Sequence, residues 1–141
     1  MRFFNTEGPV DCARHYCLPP LSRLDMEDVL ALIAQQKYFL LHAPRQTGKT
    51  TCLLALAHYL NERDDYYAVY ANIETAQAAR ENVALGMADV TWKIALGASQ
   101  QLGDQGVEAL ARSLIATTPA TTLVETFLAR WCEQLAKPLV L

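Results

Sequence analysis

Residues 43-APRQTGKT-50 hold the one stretch of this chain whose residue types and spacing point to a definite chemistry. A polyphosphate needs many hydrogen-bond donors at close range, and successive backbone N–H groups curled into a nest supply them. Gly48 lets the backbone approach without a Cβ in the way. Lys49 brings a positive charge to the outer phosphates, and the Thr50 hydroxyl is a hard oxygen ligand suited to Mg²⁺. Ala43, Pro44, Arg45, Gln46 and Thr47 form the loop that leads to them, and Thr51 follows in the first helical turn. The spacing is that of G-x-x-x-x-G-K-[ST] with Ala43 in the first glycine's place. Ala43 falls at the entry to the loop, where a methyl is tolerable as long as its φ is negative. The alternative is a surface turn with a helix-capping Thr and a solvated Lys.

A loop of this kind needs a strand to deliver it and a helix to receive it. The run 38-YFLLH-42 is short, rich in β-forming residues and continuously apolar, which predicts a buried, parallel-type strand. A helix is expected from about Gly48 to Leu60, with Leu53, Leu54, Leu56, Ala57 and Leu60 facing inward; its positive dipole end would meet the same phosphates. Before the loop, Asp25 can cap a short helix, because Met26, Val29, Leu30, Ile33 and Ala34 recur at helical spacing. After it, 66-YYAVYANI-73 predicts a second strand. A long alanine-rich helix is then expected from an N-cap at Thr75 to Leu102, with Gly86 and Gly97 as points where it could divide. Further helices are expected over 105–115 and 120–135, the latter with Thr122 and Glu125 in a capping box or with an earlier start at Thr118 before Pro119. The run 138-PLVL-141 begins a third strand. Strand, loop, helix, strand, helices and strand make an α/β plan with a parallel sheet and flanking helices.

Composition sets wider bounds. At 141 residues, with 52% hydrophobic residues and 19% charged, the chain suits one modest folded domain rather than disorder. A net charge of −3 with scattered Lys and Arg offers no bulk attraction for nucleic acid or anionic lipid. No apolar run is long enough to span a bilayer, and MRFFNTEGPVD lacks a signal peptide's apolar core, so a cytoplasmic location is expected. Of four cysteines, Cys12 and Cys17 flank His15 in C-A-R-H-Y-C, while Cys52 and Cys132 stand alone in helical patterns. Tetrahedral metal sites usually draw on two spaced ligand pairs, so reduced structural thiols are expected.

The run YFLLHAPRQTGKTTCLLAL resembles the phosphate-loop (Walker A) signature of bacterial and archaeal AAA-like ATPases, and FFNTEGPVD…HYCLPPLSR and ANIETAQAAREN look like one bacterial group of them. The resemblance implies a P-loop NTPase fold, with residues 1–24 as a lead-in over the nucleotide and 25–141 as the N-terminal part of one α/β ATPase core. It implies ATP and Mg²⁺ as ligands, and base or ribose contacts from Tyr16, Leu18 and Arg23, although Tyr16 and Leu18 could equally cover a sheet edge. Asn72 and Glu74, after the second strand, could orient a water or a partner residue, or cap the next helix.

Hydrolysis in such proteins needs an acid for the metal and a base for the water, both carried on an apolar strand. The sequence stops at PLVL before any such acid. The expectation is therefore nucleotide binding without turnover by a partial ATPase, with weak folding of the isolated chain. The alternatives are a non-hydrolysing module whose helices 75–135 mediate assembly with a homo-oligomeric or protein partner, and a remnant of an ATPase gene. GTP fits less well than ATP because N-K-x-D is absent, and no acceptor site for a nucleoside kinase is visible.

Overall fold

The computed structural model describes residues 3–6, 11, 13–45 and 47–141. The chain divides into two compact units, Met1–Glu62 and Arg63–Leu141.

In the first unit a lead-in is tied by a parallel bridge, Phe3 to His15, in which Phe3 N donates to Arg14 O and Tyr16 N to Phe3 O. The Phe3 and His15 rings meet edge-on at 4.8 Å, and Phe4 lies 4.9 Å from Tyr16. Pro19 and Pro20 cannot enter a ladder through N–H, and they open a 3-10 turn, Pro20–Arg23. Helix α1, Met26–Ala34, starts as the sequence predicts: the Asp25 carboxylate accepts from Asp28 N at 3.2 Å, and Val29 and Ile33 are buried. Helix α2 spans Lys49–Glu62 and buries Cys52, Leu56, Ala57 and Leu60. Its inward face is thus rotated toward Cys52, and Leu54, expected inside, is exposed. The Cys52 thiol donates to Pro20 O at 3.2 Å, which pins α2 to the proline turn.

The second unit is mainly helical. A 3-10 segment, Glu74–Ala79, precedes α3, Val83–Leu102; α4 is Gly106–Thr117 and α5 is Ala120–Cys132. Strands β1, Tyr67–Ala68, and β2, Leu139–Val140, pair in parallel with Tyr67 opposite Leu139. Trp131, Phe127, Leu123, Leu114, Ala111, Val107, Ala98, Ala95, Ile94 and Val69 form one buried core. The Asp104 carboxylate accepts from Gly106 N, Val107 N and Trp131 Nε1, so it caps α4 and satisfies the indole together.

The expected α/β P-loop NTPase fold, a parallel sheet with flanking helices, is overturned: the described residues are mostly helical (59%), and the one sheet among them has two strands. The run 38–42 is not a strand. Tyr38 is fully exposed, Leu40 is 86% exposed, and no described residue pairs with this backbone. A buried strand needs neighbours on its edges, and the described residues supply none there. The second expected strand shrinks to two residues because its continuation is met by a side chain: Gln101 accepts from Tyr70 N at 2.9 Å and donates to Tyr70 O at 2.7 Å.

The long helix divides, but not at its glycines. Arg80 turns into a positive φ of 46°, and Asn82 caps α3 by accepting from Leu85 N at 3.0 Å. Thr75 caps nothing; its hydroxyl donates to Asp89. Gly97 sits inside α3, where an added Cβ would lie 3.1 Å from Tyr70 O, so the absent side chain lets the helix approach the strand. Thr122 lies inside α5, which follows Pro119 without a side-chain cap. Cys17 is disulfide-bonded, against the expectation of reduced thiols, while Cys52 and Cys132 are free. Cys12 lies outside the described residues.

Candidate functional site

The phosphate-loop residues belong to the first unit, between the exposed segment 38–42 and α2. Gly48 takes a φ of +81°, in the left-handed region that side chains rarely enter. The turn of the backbone there starts α2 at Lys49, and Cys52 N closes the first helical hydrogen bond on Gly48 O at 2.9 Å. Ala43 does not have a positive φ, so its methyl is accommodated as the loop-entry argument requires.

The half-buried Lys49 side chain folds back over the loop. Its Nζ donates to Ala43 O at 2.7 Å and to Pro44 O at 2.8 Å. The Thr47 hydroxyl donates to Pro44 O at 2.7 Å, drawing the loop into a tight curl. Arg45 and Thr50 are exposed, and Gln46 lies outside the described residues. Among the described residues there is no group of three or more His, Cys, Asp or Glu side chains arranged to hold a metal.

Beside the loop is an open cavity of about 200 Å³, lined by Tyr16, Cys17, Leu18, Pro20, Arg23, Gly48, Thr51 and Cys52. The structure therefore brings Tyr16, Leu18 and Arg23, singled out in the lead-in, to the same cavity as Gly48 and Thr51. Its volume is below the roughly 300–1,000 Å³ of clefts that enclose a whole small molecule. It suits one end of an extended ligand, with an apolar wall on one side and the loop on the other. Arg23 reaches across: its Nη1 donates to Thr47 O.

Sequence reasoning missed Pro20 and Cys52 as parts of this wall. The Pro19-Pro20 pair was the available signal, because it forces the turn that Cys52 then anchors. Asn72 and Glu74 lie in the second unit and both are exposed; Asn72 Oδ1 accepts from Glu74 N at 2.9 Å, a local turn contact.

The residues present fit a phosphate group. The Arg23 guanidinium, Thr51 and the bare face of Gly48 line the cavity, Lys49 and Thr50 are not among its lining residues, and none of the described residues that line it is a carboxylate. Among the described residues, no helix is long and apolar enough to cross a membrane. No family model, curated protein or solved structure matches this chain.

Proposed function

We propose that the first unit binds the polyphosphate of a nucleotide, with ATP and Mg²⁺ as the favoured pair. The observation that carries this reading is the left-handed Gly48 immediately before Lys49 at the head of α2, with the Lys49 ammonium drawn onto the loop's own carbonyls. Two neutral carbonyls are weak partners for a full charge, and phosphate oxygens would compete for it with charge-assisted hydrogen bonds. Thr50 would hold the Mg²⁺, which neutralises phosphate charge when bound. The apolar wall of Tyr16, Leu18 and Pro20 would accept the non-phosphate end of the ligand.

Binding without turnover is the favoured form of this reading. Hydrolysis requires a carboxylate to hold the metal and a group to orient water, and none of the described residues that line the cavity is an acid. In a longer protein that added those groups, the same loop would serve an ATPase switch. A cytoplasmic setting suits a nucleoside triphosphate ligand, while the Cys17 disulfide points toward a more oxidising one.

The test is a titration of Mg-ATP against the wild-type chain and Lys49→Ala. Losing one charged hydrogen-bonding group should weaken binding roughly tenfold or more. Equal affinity in the two proteins would remove the nucleotide site, and phosphate release above background would remove the claim of binding without turnover.

A further inference from the structure

We infer that Arg23 is a second phosphate-binding cation of this loop and makes the site selective for a polyphosphate chain over a single phosphate. The inference rests on the nucleotide reading above and adds to it which end of the ligand Arg23 meets. The family resemblance implied a base or ribose contact for this residue. Its position favours the phosphate end.

Arg23 closes the 3-10 turn Pro20–Arg23, and its guanidinium lies on the loop rather than along the apolar wall. Nη1 donates to Thr47 O, the carbonyl immediately before Gly48. A Cβ built on Gly48 would stand 3.3 Å from the same nitrogen, so the guanidinium lies against the glycine's bare face. A guanidinium has five N–H donors in a fixed fork, and Thr47 O occupies one nitrogen only. Arg23 also lines the cavity together with Gly48 and Thr51.

Charge completes the case. Among the described residues, neither Arg23 nor Lys49 has a carboxylate within ion-pairing distance; the ion pairs in this unit and the next involve His58, Arg63, Arg112 and Lys137. Arg23 thus lies on the cavity side of Gly48 and the Lys49 ammonium on Ala43 O and Pro44 O, and both cations have neutral carbonyl oxygens as their partners. An arrangement of that kind favours a multiply charged anion. The two cations come from separate elements, the proline turn and the head of α2. One phosphate can satisfy one of them, whereas a chain of phosphates can satisfy both. A guanidinium is also suited to two oxygens at once, which a lysine in its place could not match.

The experiment compares Mg-ATP, ADP, AMP and inorganic tripolyphosphate on the full chain, for wild type, Arg23→Ala, Arg23→Gln and Arg23→Lys. Gln retains a donor for Thr47 O without the charge, so it separates loss of charge from loss of the structural tie; thermal melting reports the tie directly. For Arg23→Ala and Arg23→Gln the expected result is a loss of roughly ten- to hundredfold for ATP and tripolyphosphate. The loss for AMP should be much smaller, and Arg23→Lys should recover part of it. Affinities that fall equally for AMP and ATP, or that do not fall, would overturn the inference. Lys49→Ala keeps the two levels apart. If it leaves ATP affinity unchanged, the nucleotide site itself fails. If it abolishes binding while Arg23→Gln behaves as wild type, only the role of Arg23 fails.

Discussion

Gly48→Ala separates the two jobs assigned to this glycine, shaping the loop and admitting the phosphate. Gly48 has a φ of +81°, and a left-handed backbone costs an ordinary residue roughly 1–2 kcal/mol. Stiffening the unfolded chain returns about 0.4–1 kcal/mol of that. The new methyl would meet Arg23 Nη1 at 3.3 Å, the far end of a flexible side chain that can yield by a few tenths of an ångström. The net stability loss should therefore be about 1 kcal/mol, which for a domain of this size lowers the melting temperature by roughly 4–8 °C. Binding should suffer more, because the methyl displaces Arg23 and narrows the approach to the loop's N–H groups; Mg-ATP affinity is expected to drop roughly tenfold or more, equivalent to losing one charged contact. Gly103→Ala is the matched control. Gly103 has a φ of +72° and nothing within 4 Å of an added Cβ, so it carries the same backbone strain without a neighbour. It should lower stability by a similar amount and leave ligand affinity at the wild-type value. The assay is a melting curve and a Mg-ATP titration on each protein. Wild-type affinity for Gly48→Ala, or an equal loss of affinity for Gly103→Ala, would refute the reasoning.

Two further outcomes concern the second unit. Phe127 is fully buried and stacks on Trp131 with ring centroids 5.9 Å apart, so Phe127→Ala should cost about 3–5 kcal/mol in denaturant unfolding followed by tryptophan emission; a loss below about 1 kcal/mol would mean that this core is not the one that holds the unit. Partial desolvation raises the thiol of Cys132, a residue exposed overall, and the Asp64 hydrogen bond raises the Lys137 ammonium, so both groups bind their protons more tightly folded than unfolded. Stability linked to Cys132 is present below the ordinary thiol value of about 8.5 and is lost as pH rises through the folded value, and that linked to Lys137 is lost only above about 10.4. Melting temperatures from pH 7 upward should therefore fall more steeply for wild type than for Cys132→Ser once pH passes the thiol range; parallel profiles would contradict the assignment.

The elements that the sequence predicted well are those decided within a few residues. Asp25 caps α1 because its carboxylate reaches an N–H three residues on, and apolar residues at helical spacing then bury Val29 and Ile33. Gly103 ends α3 in the left-handed region because it lacks a Cβ, and the helix stops at Leu102 as expected. Helix α5 follows from Leu123, Phe127 and Trp131, which recur at helical spacing and are all buried on one face. Hydrophobic pattern could not say whether 38-YFLLH-42 would find partners. A continuous apolar run is compatible with a buried strand, but burial depends on strands supplied from elsewhere in the chain. Tyr66–Ile73 failed for a related reason: it meets a strand for two residues and the Gln101 amide after that.

The phosphate loop and the sheet are therefore different kinds of inference, and the loss of one does not carry the other with it. A sheet requires agreement among distant segments, each with its own backbone groups to satisfy. The contacts of the loop's described residues are local: Lys49 and Thr47 hold Pro44 O, Gly48 takes the conformation that other residues avoid, and α2 begins at once. Arg23 adds a tie from outside the loop, on Thr47 O. Contacts so local can hold the described residues of the loop in place beside an unpaired segment. What the loop lacks without a flanking sheet is rigid support from the strand side, where Tyr38 and Leu40 are exposed. Preorganisation then rests on the lead-in, through the Cys52 thiol on Pro20 O and Arg23 on Thr47 O, and the affinity of this site should be governed by those two contacts as much as by the loop itself.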